Sequence, residues 1–587
     1  MTQNNLLDWY EANLPARERK KRGHFSTPPH LVEQILDACG YTPEHDLSQI
    51  QVMDPACGSG NFVAGAARRL IAYGERVACS DKKVAELVQH NIWGFDPDPI
   101  ACFLAEMQMC NVFTARDEAD TKAGKRSPDT NYKGKIRQFH IHQADGLALP
   151  WQQGGQVDLF LANPPYLAAK NNDLSGYRST QQRGQSDSYL LFLELALQVV
   201  RPGGWLGLVL PDPVLARSNA ARERKRLLAE TTVHHLWHLA DVFAAYVGAV
   251  VIVAQKQTPS RTHAIIWKRE RWLPNKAPDE MQGGKRGTSR THAGNSGVVS
   301  QTFLRLQTGA ELRYLISRLQ GTLIEHIYTQ LHTAERTSHG LILLKDLVLI
   351  HRGEEISKES PLLHTFPAIT DDGPQIDWYP VIRGGSEIRP YDIPDAQYWI
   401  TREKIVKPLR QYLTPKLLIV KSTDRLQASL DLQGHIVLQT LYTLSIASDV
   451  LGTIQPTTTT QNHEEYSEQQ RECVFNVEDE LYYLHALLNS HLLQEYVSVL
   501  HTAYKWVQPQ IEQHVLAHLP LPAHVDMHEK EQIIQCTKHM IRSCSKSSPD
   551  VELKEQNQAC YEEQERAICR LYQAAIQEQR QTKTTQA

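Results

Sequence analysis

The chain has 587 residues, 41% of them apolar and 22% charged, with a formal net charge of −4. That length exceeds one core and implies two to four domains at about 150 residues each. The near-neutral charge excludes a globally basic nucleic-acid binder and leaves only local patches for such contacts. No apolar run approaches the ~18 residues of a membrane span, and the opening MTQNNLLDWYEANLPARERKKR lacks the apolar centre of a secretory signal. The ten cysteines form no CxxC or Cys/His ligand pattern. A cytoplasmic protein with reduced thiols, no metal and no membrane contact is expected.

From about 23 to 258, strand-like apolar runs alternate with helical stretches, the pattern of a Rossmann-like α/β fold with a mostly parallel sheet. The expected strands are Ile50–Met53, Ile92–Phe95, Phe139–Gln143, Val157–Ala162, Trp205–Leu210 and Val247–Gln255. A helix over Asp187–Val200 should stop at the glycines of RPGGW, and the polar stretch Arg116–Lys135 reads as a loop. Residues 259–340 read as a linker, with a Gly/Ser/Thr-rich loop over Glu280–Ser300 and a helix over Thr302–Thr329. A mixed α+β domain is expected over 341–525, with a polar loop at Pro456–Arg471, and a helical appendage over 526–587. Basic patches lie at Arg17–Arg22, Arg217–Arg226 and Arg383–Arg425.

The chemistry-bearing residues fall at the ends of expected strands. In DPACGSGNF (Asp54–Phe62), Gly58 and Gly60 let a backbone approach a ligand closely, beside an opening helix N-terminus. Asp96 of FDPDP ends the second strand, where a carboxylate can accept from both hydroxyls of a ribose. Asp145 of QADG ends the third and can accept from an adenine amino group. A turn or helix cap explains any one such aspartate; three at successive strand ends point to one ligand. Neither GxGxxG nor GxxxxGK[ST] is present, and the acidic Asp54 repels a pyrophosphate but suits an ammonium. S-adenosylmethionine is the cofactor these residues fit. The fourth strand then runs into Asn163-Pro164-Pro165-Tyr166, which reads either as a simple strand-ending turn or as a substrate corner.

Together, DPACGSGNF, the upstream GHFSTPP (Gly23–Pro29), FDPDP and NPPY closely resemble the gamma-arranged N6-adenine DNA methyltransferases of the TaqI-like and Eco57I-like group. The resemblance covers roughly residues 20 to 255. It implies that Thr27, Asp54, Ala56 and Gly58 line the methionine part of the cofactor, that Asp96 holds its ribose and Asp145 its adenine. Asn163, Pro164, Pro165 and Tyr166 become the catalytic motif. The Asn163 side-chain oxygen and the Pro164 carbonyl would draw on both N–H bonds of an adenine amine and aim its lone pair at the methyl group, while Tyr166 stacks on a flipped base.

More loosely, PVIRGG (Pro380–Gly385), PKLLIVK (Pro415–Lys421) and LNSH (Leu488–His491) resemble the target-recognition domain of the same group. This implies DNA contacts by Arg383, Lys416, Lys421 and Arg425. Relatives carry an aromatic wedge in an early loop; Ile350–Glu355 has none, leaving His351 or Arg352 to substitute. Pro549-Asp550-Val551-Glu552-Leu553-Lys554 has the letters of a nuclease motif on an expected helix, so no nuclease is expected. The expected partners are double-stranded DNA and further subunits of a restriction-modification or phage-defence system, in a prokaryotic, nucleoid-associated setting. Three alternatives stay open: a DNA-binding specificity subunit that does not methylate, an RNA or protein amide methyltransferase, and a DNA methyltransferase acting on cytosine N4.

Overall fold

The computed structural model describes residues 26–122, 139–149, 157–167, 174, 176–177, 187–243, 248–271, 295–319, 321–332, 340–365, 377–393, 395–447, 476–504, 509–544 and 551–586. The chain divides into two compact units between Arg318 and Leu319.

The first unit is built on a nine-stranded sheet: β1 (Val52–Asp54), β2 (Ile92–Asp96), β3 (His140–Gln143), β4 (Val157–Ala162), β5 (Val200–Pro211), β6 (Thr232–Ala240), β7 (Ala249–Gln255), β8 (Ala264–Arg271) and β9 (Ser296–Ser300). Their spatial order is β3-β2-β1-β4-β5-β7-β6-β8-β9. The five strands from β3 to β5 are mutually parallel, and β7 runs antiparallel between β5 and β6. Strand order reverses between β1 and β4, the point at which an open α/β sheet leaves a crevice beyond its strand ends. Burial on both faces explains why β4, VDLFLA, has no exposed position and reads as an unbroken apolar run.

The helices of this unit are α1 (Pro29–Ala38), α2 (Asn61–Arg76), α3 (Asp81–Asn91), α4 (Pro99–Lys122), α5 (Ser188–Val199), α6 (Ala221–Glu230) and α7 (Gln301–Leu306). α5 is apolar on almost every side and buried over nearly its whole length, as expected of a helix inside a large core. It ends at Val199 as RPGGW predicts, but β5 already begins at Val200.

The structure departs from the sequence expectations at several places. β6, TVHHLWHLA, was not foreseen, because three histidines interrupt its apolar run. His238 is nevertheless fully buried, its Nδ1 lies 2.7 Å from the Tyr314 hydroxyl, and desolvation pushes its pKa down to about 3. β8 pairs in parallel with β6 and β9 antiparallel with β8, so the sheet continues through residues expected to be a linker. α4 runs to Lys122, past the start of the expected loop at 116. The expected helix over Thr302–Thr329 is broken into short pieces, with left-handed glycines at Gly309 (φ 67°) and Gly321 (φ 76°). Residues 280–294 and 456–471, both expected as loops, lie outside the described residues.

The second unit has three small sheets. β10 (Leu341–Leu343) pairs with β18 (Pro520–Pro522). A four-stranded antiparallel sheet has the order β11 (Val348–Arg352), β17 (Leu441–Ile446), β14 (Lys416–Val420), β15 (Ala428–Asp431). A third joins β13 (Tyr398–Thr401), β12 (Trp378–Ile382) and β16 (Ile436–Val437). Its helices include α8 (Val477–Asn489), α9 (His491–Leu500), α10 (Met527–Cys544) and α11 (Val551–Gln586). The last two form the expected helical appendage; Asp550 of the nuclease-like letters lies outside the described residues, and the next four belong to α11. Among the described residues no helix is long and apolar enough to cross a membrane.

Candidate active site

Asp54 is the last residue of β1 and Asp96 the last of β2, while Asp145 follows β3 and Asn163 follows β4. All four therefore stand at the carboxyl edge of adjacent parallel strands, around the switch point. Thr27, Asp54, Ala56, Gly58 and Asn163 line one cleft there, together with Ser26, Ser59, Asn61 and Phe62.

The cleft wall is built largely from backbone hydrogen bonds to carboxylates. Asp96, 5% exposed, accepts the Gly58 N–H at 3.0 Å on Oδ2 and the Asp98 N–H at 2.9 Å on Oδ1. It thereby fixes the glycine loop, at a residue with φ 53°. Asp54, 1% exposed, accepts the Ala56 N–H at 3.1 Å. Burial first, and the nearby Asp96 charge, push its pKa up to about 8 against that hydrogen bond. Asp145 accepts the Leu147 N–H at 2.9 Å on Oδ1, and the Tyr177 hydroxyl donates to its Oδ2. Burial and this bond raise the Tyr177 pKa and keep it a donor.

Two observations fit a polar ligand in the cleft. The Thr27 hydroxyl is buried with no hydrogen-bond partner among the described residues, a costly arrangement that a ligand group would relieve. The buried Asp54 carboxylate has no cationic side chain among the groups that set its pKa. Cys57 lies on the same loop, but burial and the Asp54 and Asp96 charges hold its thiol well above the ordinary range, so it is no nucleophile. Among the described residues no cluster of three or more His, Cys, Asp or Glu could hold a metal.

Gly60 differs from Gly58. It caps α2 with φ 95°, and a Cβ built on it would stand 2.7 Å from the Ala105 Cα of α4. Helix packing and a left-handed backbone by themselves require a glycine here.

The Asn163–Tyr166 corner follows directly from β4. Pro164 is buried and Asn163, Pro165 and Tyr166 are half-buried. The Tyr166 hydroxyl donates to the Val209 carbonyl of β5 at 3.3 Å, and its ring meets Phe243 edge-on, with centroids 6.3 Å apart at 73°. Burial, then the Asp212 charge, raises its pKa well above that of free tyrosine, so it stays neutral. Sequence reading missed three contributors. Phe243 lies just beyond β6, which itself was not foreseen. Tyr177 carries no motif. Asn61, inside the quoted loop, donates to the Ser26 hydroxyl and the Thr27 carbonyl, both at 2.8 Å, and so ties the Thr27 segment to the cradle.

In the second unit the expected DNA contacts separate. Lys416 is fully buried, and its ammonium is held by Asp431 and the Tyr412 carbonyl. It is unavailable to DNA, and this corrects the expectation: the residue opens a strand, KLLIV, buried at every position. Arg383 is bound to Glu387 at 2.7 Å and lies 3.5 Å above the Tyr398 ring. Arg352 donates to Gln439 and stands 3.7 Å from Glu355. Lys421 is half-buried and Arg425 exposed. Ile350–Glu355 is no free loop: Ile350, His351 and Arg352 belong to β11, and a Cβ on Gly353 would stand 2.3 Å from the Leu438 carbonyl. Glu354, 1% exposed, accepts the Lys407 N–H at 3.0 Å and the Tyr412 hydroxyl at 3.1 Å. His351 is exposed on the strand.

Fold and site together define a Rossmann-like α/β domain, with a cleft at its switch point and an amide-proline corner beside it. Residues 2–277 match the family model described as N-6 DNA Methylase. It is similar to the type II methyltransferase M.VspI of Vibrio sp. (strain 343), 25% identical over 268 residues, which cover 44% of this chain and 54% of that protein. Similarity to the type II methyltransferase M.XhoI of Xanthomonas vasicola is 22% over 394 residues, covering 63% of this chain and 67% of that one. The solved structure of the type IIL restriction-modification enzyme MmeI in complex with DNA superposes with a TM-score of 0.56 at 11% identity. That match covers 96% of this chain and 78% of the other, and it is a likeness of fold.

Proposed function

We propose that the chain is a site-specific DNA methyltransferase that transfers a methyl group from S-adenosylmethionine to the N6 amino group of adenine in duplex DNA, within a restriction-modification or defence system. The observation that carries this is the shared cleft: Asn163 lines the same hollow as Thr27, Asp54, Ala56 and Gly58.

The cofactor supplies an electrophilic methyl group on a sulfonium. Thr27 and Asp54 are suited to its amino-acid part, since an orphaned hydroxyl and a buried carboxylate both improve on meeting an ammonium and carboxylate. Asp96 and Asp145, at the next two strand ends, suit the ribose and the adenine. The amine of adenine is a weak nucleophile because its lone pair is shared with the ring. The Asn163 amide oxygen and the Pro164 carbonyl accept its two N–H bonds and turn the lone pair outward, so catalysis is positioning and electrostatics without a covalent intermediate. Tyr166, held by its hydroxyl, and Phe243 form an aromatic corner for the base, which must leave the duplex to reach it. The second unit supplies DNA contacts, of which Lys421, Arg425, Arg352 and Arg383 remain candidates.

The test is to supply the purified chain with cofactor labelled in the methyl group, and with unmethylated duplex DNA, RNA and protein extract in parallel. Label entering DNA alone supports the reading. Label entering RNA or polypeptide replaces it with an amide or RNA methyltransferase, and DNA binding without transfer replaces it with a specificity subunit.

A further inference from the structure

Prolines at 164 and 165 leave this corner without two of its backbone donors. It can be fixed only through its carbonyls, the Asn163 and Tyr166 side chains, and the N–H groups that follow. Tyr166 is anchored to Val209. The backbone itself is anchored by Ser188, the first residue of α5, which is 2% exposed. The Ser188 hydroxyl donates to the Pro165 carbonyl and accepts the Leu167 N–H at 2.9 Å, while the Ser188 N–H donates to the Leu167 carbonyl at 2.9 Å.

The anchor is itself held. Asp187, the residue before it, is 6% exposed, and Arg217 and Asn219 both approach its Oδ2 at 3.3 Å. The Arg217 carbonyl in turn accepts from the fully buried guanidinium of Arg224 at 2.7 Å, which also grips the Val214 and Gly309 carbonyls. The first turn of α5 is thereby tied to the segment that follows β5. The Ser188 hydroxyl stands at the head of a mainly apolar stretch, YLLFLELALQV, whose polar groups are those of Tyr189, Glu194 and Gln198. Its two bonds to residues 165 and 167 account for it.

We propose that Ser188 is a positioning residue for methyl transfer: by fixing the Pro165 carbonyl and the Leu167 amide, it sets the orientation of the preceding Asn163 and Pro164 acceptors. The proposal rests on the methyltransferase reading above. The Ser188–Leu167 backbone bond remains when the hydroxyl is removed, so the turn persists while the Pro165 peptide is released. Small misplacements of reacting groups cost about 100-fold in rate, whereas the cleft keeps its lining by Ser26, Thr27, Asp54 and residues of the glycine loop.

The experiment measures steady-state methyl transfer by the full chain, with unmethylated genomic DNA from cells lacking the gene, for wild type, Ser188→Ala and Ser188→Thr. Ser188→Ala is expected to lower kcat about 10- to 100-fold, with the cofactor KM within about twofold of wild type, as for loss of an interaction acting on the reacting groups. Ser188→Thr, which keeps the hydroxyl, is expected to recover most of that loss. A Ser188→Ala enzyme with wild-type kcat, or one whose loss lies wholly in cofactor KM, overturns the proposal. If Ser188→Ala does not fold, Ser188→Cys carries the test, since a thiol is a weak donor of similar shape; unchanged kcat there also overturns it. A wild-type chain that transfers no methyl to DNA defeats the underlying reading and this proposal together, whereas an active wild type with an indifferent Ser188→Ala defeats the proposal alone.

Discussion

Asp54 offers the sharpest physical prediction. It is 1% exposed, and burial together with the Asp96 charge pushes its pKa up to about 8. At pH 7 the empty protein therefore holds this group ionised in only about one molecule in ten, and each unit of pKa corresponds to about 1.4 kcal/mol. An ammonium bound against Asp54 requires the ionised form. Binding at pH 7 then carries a cost of about 1 kcal/mol for removing the proton, and at pH 6 about 3 kcal/mol. Cofactor affinity should weaken about tenfold from pH 7 to pH 6, a range in which an α-amino group stays protonated. Calorimetric titration with S-adenosylmethionine in two buffers of different ionisation enthalpy should detect nearly one proton released per cofactor bound. Asp54→Asn should weaken binding at pH 7.5 and abolish both the proton release and the slope. Stability of the empty protein has the opposite pH dependence to cofactor affinity. Between the unfolded carboxylate pKa and about 8, the folded state binds more protons, so the empty protein loses stability as pH rises through that window. An affinity that is flat from pH 6 to 7.5 with no proton release, or an Asp54→Asn variant retaining the slope, would refute this role for Asp54.

Lys416→Met breaks a fully buried ion pair with Asp431 and should destabilise the second unit by about 3 kcal/mol, the lower end for such pairs, because Asp431 keeps the His435 N–H at 3.0 Å and other backbone donors. Denaturant melts check the loss, and the affinity of the folded variant for DNA should be unchanged. Arg425→Ala should leave stability within about 0.5 kcal/mol while lowering the slope of log affinity against log salt by about one. Gly60→Ala should destabilise the first unit by more than about 1 kcal/mol, since it meets both a φ of 95° and the Ala105 backbone; a thermal melt matching wild type would contradict that packing role.

The parts of the site that could be read from the sequence are those where one residue type does a local job at a strand end. Asp54, Asp96 and the amide-proline corner lie at the ends of strands of mainly apolar sequence, Asp145 after the shorter β3, HIHQ, and the expected β4 boundaries, Val157–Ala162, are the observed ones. Pairings made through space were not legible. Lys416 looked like a surface cation because its partner, Asp431, is 15 residues away on the paired strand β15. β6 was hidden by histidines whose charge is suppressed by burial, and with it went Phe243, which meets Tyr166 only in the folded sheet, where β6 lies across β7 from β5. β8, AIIWKRER, mixes apolar and charged positions and reads as linker until its pairing with β6 is seen. Ser188 carries no motif at all; its meaning depends on the carbonyl that the fold brings to it.

The measurement that bears most directly on the central claim is mass spectrometry of nucleosides from unmethylated duplex DNA incubated with the full chain and S-adenosylmethionine, alongside the Asn163→Ala variant. The account predicts N6-methyldeoxyadenosine from wild type, reduced by at least about 100-fold in the variant, with no N4-methyldeoxycytidine. Methylated cytosine, or methylated adenine undiminished by Asn163→Ala, would contradict it.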